Sequence, residues 1–357
     1  PEGEFASEPW LLILRELGLR SRIDKETFLE CARKIEAQRA VPLAPAVGEQ
    51  AARLLLCLQT GTGSDEFYSV GFTRSLASIA CVPAERATQS DSDAAVGGAR
   101  DVVLVQFSEA VVPADRHLAG TVMPVIAESL VPPQLMWSSL GIVTPPPLGV
   151  VLRHLRLLCS GDGPEQGCNQ NGLLDRGWPF DETPAHVFAA IFRHLESHWS
   201  KVSPQVKEAL KELPCVPIGG RLIKASRLFL RLGEDLAPFM FELPRAFQAP
   251  TLFKALGTRP SPTVGDYSAF LNELHADTRG FALNPNELAA VLKVIRLVTV
   301  ALKSGTSGDA PSGTLVIPDD QSKLAPLGDC LFNDASWLRG RVETSNLRMT
   351  HPSLSLA

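Results

Sequence analysis

Residues 136–142 read Met-Trp-Ser-Ser-Leu-Gly-Ile, a short apolar pattern that is typical of a helix ending at a glycine. The same signature occurs twice more, as Leu14-Arg15-Glu16-Leu17-Gly18-Leu19 and as Phe253-Lys254-Ala255-Leu256-Gly257-Thr258. A glycine after the last helical residue favours a left-handed C-terminal cap, because glycine has no Cβ to oppose a positive φ. We therefore predict three short helices that each end at a Leu–Gly pair.

The segments that follow the three Leu–Gly pairs share one order of features. After a turn and a second apolar helix, a longer amphipathic helix is expected at 49–58, 185–201 and 287–303. In the last of these, one apolar face should contain Leu288, Val291, Leu292, Ile295, Val298 and Leu302. A strand-like tripeptide then ends in proline, as Cys81-Val82-Pro83, Cys215-Val216-Pro217 and Val316-Ile317-Pro318. A hairpin strand is expected after each proline, at 102–107, 221–225 and 323–325.

This order predicts the fold class and the domain organisation. We expect a helix-rich α+β protein, an array of about three related units that each combine a helix pair with a β-hairpin. The predicted boundaries are 1–134 for a divergent first repeat, 135–249 for the second and 250–345 for the third, with 346–357 starting a following segment. Stretches rich in Gly, Ser, Asp and Asn are expected to be exposed loops, at 60–65, 88–98, 160–172 and 304–313.

Composition restricts the class of protein. Hydrophobic residues make up 45% of the 357 residues, enough for a sizeable core. The net charge of −5 argues against a nucleic-acid binder, which usually carries a basic footprint. The most apolar stretch, 288–302, contains Lys293 and Arg296 and is too short for an uncharged membrane span. No secretory signal pattern opens the chain, and since it does not begin with Met, we expect it to be a piece of a longer protein.

The cysteines indicate a reducing compartment. There are seven, with no C-x-x-C spacing, at positions 31, 57, 81, 159, 168, 215 and 330. Scattered, odd-numbered cysteines suit a cytoplasmic protein with free thiols better than a disulfide framework. Cys81 and Cys215 take equivalent strand positions, where the third repeat has Val316. We therefore expect both thiols to pack as small apolar groups and not to act as nucleophiles.

One segment has a spacing that is compatible with metal binding. His194 and His198 lie four residues apart on a predicted helix and could face one metal ion. However, Leu195 stands where a zinc protease has its glutamate, and Glu196 lies on another face of the helix. The histidines flank a predicted buried stripe of Val187, Phe188, Ile191, Phe192, Leu195 and Trp199. We favour a role at the edge of that stripe and keep a metal-assisted hydrolase around His194 and His198 as the alternative.

The sequence lacks the usual motifs for nucleotide binding, serine hydrolysis and calcium binding. No G-x-x-x-x-G-K-[ST] loop and no G-x-S-x-G elbow occurs, and Gly61-Thr62-Gly63 lacks the third glycine of a dinucleotide-binding turn. The loop that begins Asp162-Gly163-Pro164-Glu165 does not alternate oxygen ligands as a calcium loop does. We therefore predict no catalytic residue, no cofactor site and no metal site. Near the C-terminus, Asp334 should cap a short helix from Ala335, so that Trp337 closes the core of the third repeat.

The sequence also resembles a known family. Segments of the third repeat, together with Leu213-Pro214-Cys215-Val216-Pro217 and the Leu–Gly helices, are similar to the sacsin family. Those of the third repeat are Leu315-Val316-Ile317-Pro318-Asp319 and Leu331-Phe332-Asn333-Asp334-Ala335-Ser336-Trp337-Leu338. In the segment after it, His351-Pro352 resembles the family's join to the following part of the chain. The likeness runs from Trp10 to His351 and lies in structural motifs.

The resemblance implies a function but transfers no catalytic residue. Sacsin-like proteins carry an ATPase module similar to that of the large heat-shock chaperone, followed by a long stretch like this one. That module needs an Asn and an Asp-Ala pair on one helix and a D-x-G-x-G turn. Asn333-Asp334-Ala335 has the wrong spacing, and Asp175-Arg176-Gly177 continues as Trp178-Pro179. The resemblance thus implies a non-catalytic interaction or scaffold segment of a cytoplasmic co-chaperone in protein quality control. Its partners would be heat-shock chaperones, client proteins or neighbouring modules, and a generic helical scaffold remains a further alternative.

Overall fold

The chain folds into helices and small sheets that form two compact units. The structure, a computed structural model, describes residues 7–17, 23–59, 65–87, 100–159, 178, 180–237, 239–247, 249–303, 314–332 and 348–354. These residues form a helix-rich α+β protein, in agreement with the predicted class. The first compact unit comprises Pro1–Ser203, Leu213–Leu222 and Ala246–Ala249; the second comprises Pro204–Glu212, Ile223–Arg245 and Pro250–Ala357.

Most of the described residues are helical. The α-helices are α1 (Glu8–Glu16), α2 (Lys25–Ala37), α3 (Pro45–Gln59), α4 (Val70–Ala77), α5 (Arg116–Ala119), α6 (Gln134–Leu140), α7 (Leu148–Cys159), α8 (Pro184–Ser197), α9 (Pro204–Glu212), α10 (Pro250–Ala255), α11 (Val264–Thr278) and α12 (Pro285–Lys303). No helix in the described part of the chain is both long enough and apolar enough to cross a membrane. The long helices predicted at 49–58, 185–201 and 287–303 correspond to α3, α8 and α12.

The strands are short and pair locally. They are β1 (Val82–Ala87), β2 (Arg100–Val105), β3 (Val125–Ile126), β4 (Pro214–Ile218), β5 (Arg221–Lys224), β6 (Leu228–Phe229), β7 (Phe241–Glu242), β8 (Val316–Pro318), β9 (Leu324–Pro326), β10 (Cys330–Leu331) and β11 (Arg348–Met349). One sheet has the order β2-β1-β3 and is antiparallel, and four further sheets are pairs, namely β4-β5, β6-β7, β8-β9 and β10-β11. The strands predicted at the three proline-ended tripeptides are confirmed by β1, β4 and β8.

Helices α6 and α10 end as their sequences predict. Gly141 follows α6 with a φ of 78°, and Gly257 follows α10 with a φ of 99°, both in the range that disfavours a side chain. The amide of Ile142 donates to the carbonyl of Trp137 at 2.9 Å, and that of Thr258 donates to Phe253 at 2.9 Å. The left-handed caps are thus confirmed at two positions, whereas Gly18 lies outside the described residues.

The helix after each Leu–Gly pair buries the same three positions. Ten, fourteen and seventeen residues after the glycine, the side chains are buried in α2, α7 and α11 alike. Spacings of three and four residues put these positions on one helical face. In chain order the buried residues are Phe28, Ala32 and Ile35, then Val151, Leu155 and Leu158, then Tyr267, Leu271 and Leu274.

A tight turn follows each hairpin. The turns are 3-10 helices at Phe107–Glu109, after β2, at Ala225–Arg227, after β5, and at Leu327–Asp329, after β9. A short strand leaves each turn and pairs in parallel: Val111 with Val125, β6 with β7, and β10 with β11. We call the three 3-10 helices the first, second and third turn. The order hairpin, turn and parallel pair therefore occurs three times.

The structure differs from the predictions at a few positions, and other predictions concern residues outside those that it describes. The buried face of α12 consists of Ala290, Val291, Val294 and Val298, so the predicted face was wrong for Leu302, which is exposed. Helices α4 and α9, which precede β1 and β4, were not predicted. The predicted loops lie almost wholly outside the described residues, as does the predicted cap and core position at Asp334 and Trp337. The boundaries near 134 and 249 stay predictions.

Candidate functional site

Histidines are concentrated in one part of the first compact unit. Five of the chain's seven histidines lie between Arg116 and His198, on α5, α7 and α8 or directly after α8. These three helices pack against one another. Because histidine combines a titratable ring with metal-binding and proton-transfer chemistry, this region is the strongest candidate for a chemical site.

His154 forms a buried hydrogen-bonded centre. Its Nδ1 lies 2.5 Å from Oγ1 of Thr121 and 3.4 Å from the Thr121 amide, which donates to it. Its Nε2 lies 3.2 Å from the carbonyl oxygen of His117. With Nδ1 accepting, Nε2 carries the proton and donates to that carbonyl, so every polar atom of the ring has a partner. Burial lowers the pKa of His154 to about 4, and the ring is therefore neutral at physiological pH.

The local sequence explains how this centre forms. Gly120 ends α5, and a Cβ there would lie 2.7 Å from the carbonyl oxygen of Arg116 and 3.2 Å from Cε1 of Phe180. Only glycine lets the chain turn this closely, which brings Thr121 to the ring of His154. Phe180 also contacts that ring edge-to-face, with centroids 5.7 Å apart. The arrangement is that of a satisfied core histidine.

His117 and Asp115 border this centre. His117 is half-buried, and burial lowers its pKa, while the nearby carboxylate of Asp115 acts in the opposite direction. Asp115 is itself buried and accepts a hydrogen bond from Oγ1 of Thr144 at 2.5 Å. His186 and Arg193 lower the pKa of His117 further, because nearby positive charge disfavours the protonated ring. His117 thus lies beside the buried, hydrogen-bonded side chain of Asp115.

His194 and His198 lie together at the end of α8. Their rings stack with centroids 4.5 Å apart and an angle of 30° between planes. Nδ1 of His198 lies 3.0 Å from the carbonyl of His194, which also accepts from the Ser197 hydroxyl at 2.8 Å. Nε2 of His194 is buried without a hydrogen-bond partner, and burial lowers the pKa of this ring, with the neighbouring His198 adding to the effect. The sequence-predicted pair is therefore brought together in space.

The pair does not gain further ligands from the described residues. No three His, Cys, Asp or Glu side chains in the described ranges are grouped closely enough to hold a metal ion. The buried stripe of α8 contains Val187, Phe188, Ile191, Phe192 and Leu195 as predicted, but Trp199 is only half-buried and belongs to a 3-10 helix.

The buried cysteines are inert at neutral pH. Burial raises the pKa of Cys81 to about 12 and that of Cys215 to about 12, so both remain thiols. The six cysteines in the described part of the chain are all free. Cys81 belongs to a cluster of buried apolar side chains and lies directly before β1, and Cys215 is buried within β4. This environment agrees with the packing role that the sequence predicts for them.

A shallow groove lies beside the start of α8 and has little polar character. It is lined by Thr183, Pro184, Ala185, Pro217, Gly219, Gly220, Arg221 and Leu222. Arg221 is its one charged lining residue, and the two glycines form the tip of the β4-β5 turn, both with positive φ. The groove brings no pair of titratable groups together for catalysis.

Two pairs of apolar side chains that lie close together in the sequence are exposed. Ile13 and Leu17 are exposed at the end of α1, and we call them the α1 face. Leu327 and Leu331 are exposed at and just after the third turn, and we call them the third-turn face. Exposed apolar clusters mark surfaces that bind other proteins. No local signal in the sequence indicates the α1 face, since Leu17 precedes its glycine just as the buried Leu140 does.

Comparison with known proteins gives one distant likeness. No protein-family profile matches the chain, and no solved structure matches it significantly. The chain is similar to human sacsin, with 21% identity over 213 residues. The match covers 57% of this chain but only 4% of sacsin, so the chain spans a very small part of that protein. The likeness therefore relates this chain to one region of sacsin.

Proposed function

We propose that this chain is a non-catalytic interaction or scaffold segment of a sacsin-like co-chaperone that acts in protein quality control. The distant likeness to sacsin supports the chaperone connection. The observation that carries the interaction role is the exposure of apolar side chains at the α1 and third-turn faces. The function is the presentation of surfaces to other proteins.

We further propose that the chain is built from three related repeats with boundaries near 134, 249 and 345. Support comes from three recurrences: the left-handed glycine after α6 and α10, the three buried positions in α2, α7 and α11, and the order of hairpin, turn and parallel pair. Repeats that each contact their neighbours produce extended surfaces suited to binding. Residues 346–357 would begin a following segment.

The proposed partners are proteins. They are heat-shock chaperones, client proteins or neighbouring modules of a longer chain, and nucleic acid is not among them because the net charge is −5. A cytoplasmic location is proposed from the free thiols and the absence of disulfides among the six described cysteines. In this proposal the chain has no catalytic residue and no cofactor.

The interaction role is tested with an aggregating client. Citrate synthase is heated with an equal molar amount of the chain, and light scattering is followed without nucleotide. We expect the chain to reduce scattering, whereas the same concentration of serum albumin does not. Calorimetry with ATP and magnesium should show no saturable heat. Full aggregation of the client, together with no binding to purified cytoplasmic heat-shock chaperones, contradicts the proposal.

The metal-assisted hydrolase is kept as the alternative because of one observation, the buried and unpartnered Nε2 of His194. Zinc retained after dialysis is measured for the parent chain and for His194→Asn and His198→Asn. His186→Asn is the matched control, since His186 is an exposed histidine on the same helix. Retention of one zinc ion per chain that only the first two variants lose would support the hydrolase; no retained zinc supports the scaffold.

A further inference from the structure

A short return strand occurs in each of the three proposed repeats and bonds to the strand that leaves the turn. One amide in or directly after each return strand donates to a carbonyl across this parallel pair, at distances between 2.8 and 3.0 Å. Four residues after that amide, an apolar side chain is buried in each repeat. The bonds run from Ile126 to Val111, from Leu243 to Phe229 and from Thr350 to Leu331, and the buried side chains are Leu130, Phe247 and Leu354. The return strand of the third repeat is thus built like the first two.

We call residues 348–354 the strap. They lie beyond the boundary proposed near 345, in the segment that follows the third repeat. Three backbone hydrogen bonds, each 2.9 Å long, join the strap to β8, to the residue after the turn-facing pair and to β10. The donor and acceptor residues are His351 and Pro318, Asp320 and Met349, and Thr350 and Leu331. The start of the following segment is therefore seated on the third repeat.

One pair of facing residues differs in character between the first and the third repeat. Ala84 faces Ile126 in the first repeat, and both side chains are buried and apolar. At the matching positions of the third repeat, Asp319 faces Thr350, and these polar residues are only 3% and 2% exposed. A buried carboxylate is costly unless it is hydrogen-bonded and paired. Asp319 therefore needs partners that an alanine at this position does not need.

The partners of Asp319 come from the hairpin and from the strap. Its Oδ1 accepts from the amides of Gln321 at 3.0 Å and Lys323 at 2.8 Å, which belong to the turn between β8 and β9. Its Oδ2 lies 3.3 Å from Nη1 of Arg348, the first residue of the strap. The carboxylate thus joins the hairpin to the strap, and a hydrogen bond between two charged groups is stronger than a neutral one.

We propose that Asp319 and Arg348 form a lock that holds the strap on the third repeat and so fixes the segment that follows this repeat. The inference rests on the function proposed above, in which neighbouring modules of a longer chain are among the partners. The first repeat holds its return strand by apolar packing of Ile126. The lock differs from this packing because the side chain of Arg348 is half-exposed, so its guanidinium can move into water while the β8-β9 hairpin stays intact. Closed, the lock orients the following segment; open, it frees that segment.

The first test measures amide hydrogen exchange in the strap by NMR. Arg348→Met keeps an unbranched side chain and removes the charge. We expect the amides of Thr350 and His351 to exchange at least about tenfold faster, because a hydrogen bond between charged groups is lost. The amide of Leu327, which donates to the carbonyl of Leu315 at 2.8 Å, is the internal reference and should keep the rate of the parent.

Two results of this test overturn the proposal. Exchange of Thr350 and His351 that matches the parent would show that the backbone bonds and the burial of Leu354 hold the strap without the lock. An equal rise at Leu327 would show that Arg348 stabilises the whole repeat and does not act on the strap.

Arg227→Met is the matched control. Nη2 of Arg227 lies 2.8 Å from Oε1 of Glu273 in the same compact unit, and both side chains are exposed. Exposed ion pairs contribute little to stability, so we expect the exchange of Thr350 to remain that of the parent. If this variant frees the strap as Arg348→Met does, the effect comes from the loss of any positive charge, and the lock is wrong.

Asp319→Asn tests the other half of the pair. The new side chain still accepts from the two turn amides through its oxygen, but it offers Arg348 no charge. We expect the strap to exchange faster, as in Arg348→Met, and the double variant to exchange no faster than the faster single variant, because both changes remove one interaction. Independent, multiplying effects of the two changes would overturn the proposal. If the lock fails these tests while the chain still suppresses client aggregation, the proposed function stands and only the lock is wrong.

Discussion

Helices α1 and α6 share a sequence pattern but have opposite environments. Both end in a leucine followed by a glycine, and both carry an apolar residue four positions before that leucine. Leu140 is buried with the first turn beside its capping glycine, whereas Leu17 is exposed. The pattern therefore identifies a helix and its end, but the neighbour that reaches the helix decides which side chains leave water.

The helices α2, α7 and α11, which follow the Leu–Gly pairs, also differ at one matching position. Thirteen residues after the glycine, α2 has Cys31, α7 has His154 and α11 has Phe270. The buried residues on either side of this position are apolar in all three helices. A polar ring is therefore accepted at one of three equivalent positions, because Thr121 and His117 supply partners there.

The largest expected difference is between Leu140 and Leu17. Leu140→Ala should cost about 2–5 kcal/mol of unfolding free energy, because it leaves a cavity in a packed core. Leu17→Ala, in a dilute sample, should change it by no more than about 0.5 kcal/mol, as surface substitutions do. Urea unfolding followed by circular dichroism measures both. Equal losses of unfolding free energy for the two variants would show that Leu17 is packed as Leu140 is, and would contradict this prediction.

The second prediction concerns pH. The pKa of His154 is about 4 in the folded protein, below the value of about 6.5 in an unfolded chain, so the unfolded state binds more protons between these values. Stability from this group is complete above about pH 6.5 and is lost as the pH falls toward 4, by at most about 3 kcal/mol.

His154→Leu isolates this contribution, because leucine has a similar volume and does not titrate. We expect the difference in unfolding free energy between parent and variant to shift by about 2 kcal/mol in favour of the variant from pH 7.5 to pH 5. Urea titrations at both pH values measure it. A difference that does not depend on pH would mean that the ring is accessible to protons in the folded state.

The third prediction compares the two glycine caps. Gly141→Ala should cost about 1–2 kcal/mol, because a side chain is disfavoured at positive φ, and crowding against Ser108 adds to this cost. Ser108→Gly should recover part of the loss in a double-mutant cycle. The matched cycle of Gly257→Ala with Ser226→Gly should show almost no coupling, since a Cβ there lies at ordinary contact distance. Thermal melts of the six single and double variants test this, and coupling of equal size in both cycles contradicts it.

The smallest expected effect is at Thr258. Its counterpart after α6 is Ile142, which packs without a hydroxyl. Thr258→Val removes the bond to the carbonyl of Ala225, which still accepts from the amide of Leu228, so the cost should be about 1 kcal/mol. Chemical unfolding measures the change. A loss above about 3 kcal/mol would show that the hydroxyl is required to seat α10 on the second turn.

Local patterns were predicted where a residue's own chemistry is decisive. Gly141 and Gly257 cap their helices because only glycine takes these φ values without cost, and the three proline-ended tripeptides form strands. The predicted burial of Leu302 was wrong. Helix α12 is apolar on more than one face, and the neighbouring elements bury the face that contains Val294. Helix α9 was not predicted, because its single buried residue, Leu210, does not produce a recognisable apolar periodicity.

The candidate sites were predictable only in part. The pairing of His194 with His198 follows from helical spacing, and the apolar pattern of α8 places both at the edge of a buried stripe. The bond between His154 and Thr121 joins residues that are far apart in the chain, and no local pattern indicates it. The exposure of Leu17 and Leu327 is likewise invisible in sequence, because each resembles a buried counterpart.

The helix-rich α+β class, the glycine-capped helices and the apolar identity of the strands at Val82, Cys215 and Val316 could all be predicted from the sequence. These follow from φ preferences and from apolar periodicity, which act over a few residues. Which of the matching residues are buried, and which histidine ring is held neutral, depends on tertiary packing. Burial depends on neighbours that are distant in the chain. Leu17 and Leu140 therefore share a local sequence pattern but differ in exposure, because only Leu140 is packed against other elements.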